Sequence, residues 1–180
     1  MKSSVYFKKI LLLSFIHFVL SLSLSFAQTD KNAKAAESLE WHTDLMKAYD
    51  VSKKTKKPIF AMFTGSDWCV WCRKLQADVF AKKDFIDWAK KNVVLLEVDF
   101  PRAKQLPPET VQQNQSLQQT FGINGYPTVW LFNLNKSDTA NNFNIDPIGS
   151  TGYPAGAEPG KEEVKFLNEV NTLIKNKTGK

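Results

Sequence analysis

Residues 59 to 72 read Ile59-Phe60-Ala61-Met62-Phe63-Thr64-Gly65-Ser66-Asp67-Trp68-Cys69-Val70-Trp71-Cys72. The first five form a continuous apolar run of strand length, as expected of a central strand covered on both faces. Thr64 to Asp67 supply turn and cap chemistry. Beyond them Cys72, Leu75, Val79 and Phe80 recur at helical spacing, so Cys69 falls at a helix start. Cys69 and Cys72 are the only 2 cysteines in a chain of 180 residues. A bond across two intervening residues closes a loop too small to restrict the unfolded chain much. Stability is therefore a poor reason for the pair, and redox chemistry a better one.

A disulfide exchanges when a thiolate attacks one of its sulfurs. Unpaired amides and the positive end of a helix dipole lower a thiol pKa from about 8.5 to roughly 7 or below. Cys69 and Cys72 lie one helical turn apart on one face, which makes Cys69 the attacking nucleophile and Cys72 the resolving thiol. Haem attachment would need His at position 73, which is Arg73. Zinc would need two further ligands, and beyond the leader the chain offers no other cysteine and one histidine, His42. No metal and no dissociable cofactor is expected. A redox-inert surface pair stays open as the plain alternative.

Upstream, Asp44 to Lys56 reads as a helix with Leu45, Ala48, Tyr49 and Ser52 on one side, stopped by Pro58. Downstream, helical character resumes around Phe85 to Ala89 after a break at Lys82 to Asp84, and Val93 to Asp99 is a second buried strand. Strand, helix, strand with that crossover implies a parallel pair. Phe100 to Gln113 holds three prolines and no apolar period, which predicts a long loop before a short helix, Gln115 to Phe121, ended by Gly122. Thr128 to Phe132 is a third strand, and an Asn-rich turn leads to a weaker one near Ile145 to Gly149. Lys161 to Lys175 closes the pattern as an amphipathic helix with Val164, Leu167, Val170 and Ile174 inward.

Residues 1–27 differ in kind. Lys2, Lys8 and Lys9 precede an apolar run from Ile10 to Phe26 and then Ser25-Phe26-Ala27, the pattern of a secretory signal peptide cleaved after Ala27. The run is short and carries four serines and His17, which fits poorly with a span of about 20 residues. No stable membrane insertion is expected after cleavage, and the destination is periplasmic or otherwise extracytoplasmic. Residues 28–40 read as a flexible linker and 41–180 as one folded domain. The leader holds three of the lysines and no acid, so half of the formal charge of +6 leaves with it. The remaining excess makes no case for nucleic acid.

The Asp67-Trp68-Cys69-Val70-Trp71-Cys72 stretch, the strand ending in Val98-Asp99, and Phe121-Gly122-Ile123-Asn124-Gly125-Tyr126-Pro127-Thr128 together resemble the thioredoxin superfamily over roughly Trp41 to Lys175. Within it, the cysteine stretch is similar to the C-terminal domain of the membrane thiol:disulfide interchange reductase of the bacterial periplasm, and to small exported thioredoxin-like proteins. The resemblance implies an α/β thioredoxin-like fold, a central mixed β-sheet flanked by helices. It implies a secreted thiol:disulfide oxidoreductase that reduces or isomerises disulfides of exported proteins through a redox-active Cys69–Cys72 disulfide. A reducing role in an oxidising space presumes a membrane-bound electron donor. The resemblance further implies a cis Tyr126-Pro127 bond beside the pair, where the Tyr126 backbone is open to a substrate strand. Trp68, Trp71, Tyr126 and Pro127 are then the substrate-binding residues, with partial core packing the alternative for Trp68, while Trp41, Trp88 and Trp130 go to the core.

One departure matters. The superfamily commonly buries an Asp beneath the pair with a Lys on the next strand, and here those places hold Met62 or Phe63 and Leu95. Glu97, an acid inside an apolar strand, is the candidate proton acceptor. Val70-Trp71 supplies no charge to a thiolate and Asp67 opposes one, so the expected potential is nearer about −270 than about −120 mV. The rival expectation is a thioredoxin-like binding module in which Trp71, Tyr126 and the Phe100 to Gln113 loop hold a specific partner over a locked disulfide.

Overall fold

The computed structural model describes residues 39–136 and 143–179; the expected signal peptide and nearly all of the expected linker lie outside them. The five strands are β1 (Trp41–His42), β2 (Ile59–Thr64), β3 (Val94–Asp99), β4 (Thr128–Lys136) and β5 (Phe143–Thr151). They form one mixed sheet in the order β1-β3-β2-β4-β5. β3 runs parallel to β1 and β2, while β4 is antiparallel to β2 and β5. The helices are α1 (Leu45–Thr55), α2 (Val70–Leu75), α3 (Lys83–Asn92), α4 (Pro108–Thr120) and α5 (Glu162–Thr178). A π-helical turn, Gln76–Phe80, continues α2.

Every residue of β2 is buried, and its alternating side chains feed two cores. Phe60 and Met62 join Leu95, Val129 and Leu131 on the face covered by α2, α3 and α5, where Leu75, Val79, Phe80, Phe85, Phe166 and both cysteines pack. Ile59, Ala61 and Phe63 join Val94, Leu96, Val98 and Phe132 on the face covered by Ala48 and Tyr49 of α1 and Leu117 of α4. A strand with helices on both sides must be apolar throughout, which is why its sequence shows no alternation.

Local chemistry sets the helix ends. Asp44 caps α1 by accepting from the Met46 and Lys47 amides, and Lys56 ends it in the left-handed conformation. Three expectations shift. The segment predicted as loop to Gln113 becomes helical at Pro108, because proline at the first helical position gives up only an amide that had no partner. Val164 is 49% exposed, while Phe166 and Val170 are buried on α5. Trp41, Trp88 and Trp130 are only half-buried, packed against the rims of the two cores. Among the described residues no helix is long and apolar enough to cross a membrane.

Candidate active site

β2 delivers the chain to a turn at Gly65, whose carbonyl accepts from the amides of Trp68 (3.2 Å) and Cys69 (2.8 Å). Cys69 then sits as the N-cap of α2 in extended conformation, and its Sγ accepts the Cys72 amide at 3.1 Å. The two cysteines are joined as a disulfide with Cα atoms 5.2 Å apart. Cys69 is 5% exposed and Cys72 2%, so the oxidised pair offers a substrate only a narrow opening at its leading residue. The open surface around it belongs to Val70 and Trp71, 65% and 55% exposed.

Two acids tie the turn before Cys69 to the loop after β3. Asp99, buried, accepts from the Ser66 amide (2.8 Å) and hydroxyl (2.6 Å). The Asp67 carboxylate accepts from the amides of Arg102 (3.0 Å) and Ala103 (2.6 Å), and these backbone donors hold it below the ordinary carboxylate range. Its charge, expected to oppose a thiolate, is thus already engaged by backbone dipoles. Trp68 belongs to the same clasp. Its indole N–H donates to the Phe100 carbonyl at 2.8 Å, and the Arg102 guanidinium lies 4.1 Å from its ring.

Trp68 also meets Tyr126 edge to face, with centroids 5.6 Å apart. That contact brings the residue before Cys69 to the residue before Pro127, and the Tyr126-Pro127 bond is cis. Tyr126 is half-buried, its hydroxyl accepts from Gln118 at 2.7 Å, and burial raises its pKa. The segment leaving β5 runs against this turn: a Cβ on Gly152 would lie 3.2 Å from the Pro127 carbonyl.

Sequence reading missed Tyr153, which follows. Its ring lies 5.1 Å from that of Trp71, its hydroxyl donates to Asp78 at 2.7 Å, and Lys74 both pairs with Asp78 at 2.6 Å and lies over the Tyr153 ring. The only signal in the chain is an aromatic just past a strand end, too common to single out.

Beneath the pair, Met62 and Leu95 are apolar and buried. Glu97 pairs in register with Met62 across β2 and β3, on the strand face that carries Leu95. It is half-buried, and burial first, then the nearby Asp99 charge, raise its pKa, partly countered by Lys104. Among the described residues no group of three or more His, Cys, Asp or Glu is placed to hold a metal ion.

Residues 45–141 match the thioredoxin-like domain family. The chain is 34% identical over 119 residues to the disulfide bond reductase DsbH of Chlamydia pneumoniae, covering 66% of this chain and 70% of that protein. It is 30% identical over 157 residues to the thioredoxin-related protein DsbJ of the same organism, covering 87% of this chain and 43% of that one. A solved structure of a DsbH oxidoreductase matches with a TM-score of 0.63 at 27% identity, over 82% of this chain and 92% of the other.

Proposed function

The chain belongs to the thioredoxin-like domain family, and from that premise we propose that it is an extracytoplasmic thiol:disulfide oxidoreductase working in the reducing or isomerising direction. The observation that carries the reading is Cys69 itself: a helix N-cap whose Sγ receives the Cys72 amide, in a disulfide with the residue one turn on. An amide aimed at that sulfur stabilises the thiolate once the bond is reduced.

In the reducing direction the Cys69 thiolate attacks one sulfur of a substrate disulfide, forming a mixed disulfide and expelling the other substrate sulfur as thiolate. Cys72 then loses its proton and attacks Cys69 Sγ, which releases the second substrate thiol and leaves the Cys69–Cys72 disulfide. Two electrons have passed to the substrate. A disulfide-containing exported protein is the substrate class, its strand paired on the Tyr126 backbone between Trp68 and Trp71. A membrane-bound dithiol donor returns the pair to the reduced state, because an oxidising compartment does not. Glu97 is the carboxylate proposed to take the Cys72 proton, through water.

The shallow opening at Cys69 favours the second reading, a binding module with a locked disulfide. Insulin reduction with dithiothreitol and the two serine variants separates them. Cys72→Ser is expected to accumulate mixed disulfides, and Cys69→Ser none. Wild-type protein without reductase activity, together with no trapped species, leaves the binding module.

A further inference from the structure

The loop after β3 carries a cation held beside the site with no acid for it to neutralise. Asp67, the nearest carboxylate by contact, spends its two oxygens on the amides of Arg102 and Ala103. The Arg102 guanidinium instead lies on the Trp68 ring at 4.1 Å. Among the described residues it makes no ion pair with any acid. Lys104, exposed two residues on, adds a second positive charge to the same loop. The guanidinium's platform is fixed at both ends, by the indole N–H to Phe100 and by the edge contact with Tyr126.

We infer that Arg102 is a specificity-determining residue, which recognises an Asp or Glu close in sequence to the reacting cysteine of the substrate protein. The inference rests on the oxidoreductase reading and deepens it. An extended substrate segment on the Tyr126 backbone places alternate side chains about 7 Å apart along the strand. A step of that size is what the inference assigns to the substrate's acidic residue, with Trp68 standing between Tyr126 on one side and the Arg102 guanidinium on the other. Arginine suits this task, since its planar guanidinium stacks on an aromatic face while its edge N–H groups stay free for a carboxylate. Asp67 holds the backbone and not the side chain of residue 102, so substitution there leaves the loop's anchor in place.

The test uses disulfide peptides identical except for Glu, Gln or Lys two residues from one cysteine, with dithiothreitol as reductant. Rates are divided by those with dithiothreitol alone. An exposed Arg–carboxylate pair predicts a kcat/KM about fivefold higher for Glu than for Gln at low salt, equivalent to about 1 kcal/mol. The preference is expected to shrink toward unity in about 0.5 M salt, to vanish in Arg102→Gln, to invert in Arg102→Glu and to persist in Arg102→Lys at reduced size. It should lie in KM, with the reduction potential of the pair unchanged. An equal rate for Glu and Gln peptides, or a preference that survives Arg102→Gln, overturns the inference. Failure to reduce even the Gln peptide overturns the oxidoreductase reading instead.

Discussion

Replacing Gly65 by alanine tests whether Trp68 is clamped as described. No unusual backbone angle requires glycine here; the constraint is space. A Cβ at position 65 would fall well inside contact distance of Cε2, Nε1 and Cζ2 of the Trp68 indole. The indole cannot swing aside without giving up the 2.8 Å hydrogen bond to Phe100, the Arg102 contact and the edge contact with Tyr126. Overpacking costs about 1–3 kcal/mol, the lost hydrogen bond about 1 and the cation–π contact about 0.5–1. Gly65→Ala is therefore expected to destabilise by about 3–4 kcal/mol, which at roughly 3 °C per kcal/mol for a domain of this size lowers Tm by about 10 °C. The decisive measurement is a double-mutant cycle with Trp68→Ala, read by urea denaturation of the oxidised protein. With the indole gone, the alanine has nothing to strike and should cost less than about 1 kcal/mol, so the two substitutions are strongly non-additive. If their costs add, Gly65 is not there to make room for Trp68 and the clasp described above is wrong.

Other outcomes follow from the same geometry. Asp78 is held below the ordinary carboxylate range first by the Lys74 hydrogen bond and then by the Tyr153 hydroxyl. A depressed folded pKa contributes stability above the unfolded value near 3.8 that is lost as pH falls through the folded one. The stability gap between wild type and Asp78→Asn should thus be constant from pH 8 to about 5 and close below about pH 4, in denaturation midpoints measured across that range. Glu97 has the opposite sign: with its pKa raised, the charged carboxylate opposes folding, an effect that builds from the unfolded value near 4.5 and is complete above the folded one. Glu97→Gln should stabilise at pH 7 and change nothing near pH 3, while lengthening the life of the mixed disulfide in stopped reactions. Asn114, 2% exposed, donates to the Asp99 carbonyl at 2.8 Å. Asn114→Ala should cost about 1–3 kcal/mol by urea denaturation, because Asp99 then keeps a buried carbonyl without that donor.

Much of the scaffold was legible because its signals are local. The all-apolar run of β2, the helical spacing of Ala48, Tyr49 and Ser52, and that of Cys72, Leu75, Val79 and Phe80 each fall within a turn or two of chain, and all seven of those helical side chains are buried. The errors arose where two local rules competed. Prolines in the 100–113 stretch counted as breakers, yet Pro108 opens α4. Val164 fits an apolar stripe as well as Phe166 does, and only packing against the neighbouring helices and the sheet decides which side of α5 turns inward. β1 is two residues long and exists through its pairing with β3, so nothing within Trp41 and His42 announces a strand.

From its residues alone this chain specified a strand-turn-helix unit with a cysteine at the helix mouth, a partner cysteine one turn on, and too few other ligands for haem or zinc. Period, capping and spacing are properties of neighbours along the chain. The tertiary structure alone decided what surrounds the pair. Trp68 meets Phe100 across 32 residues, Tyr153 meets Asp78 across 75, and Glu97 comes to lie half-buried on the cysteine side of the sheet. Such pairings depend on strand order and crossover, which bring distant segments to one rim, and no local pattern encodes which segment arrives.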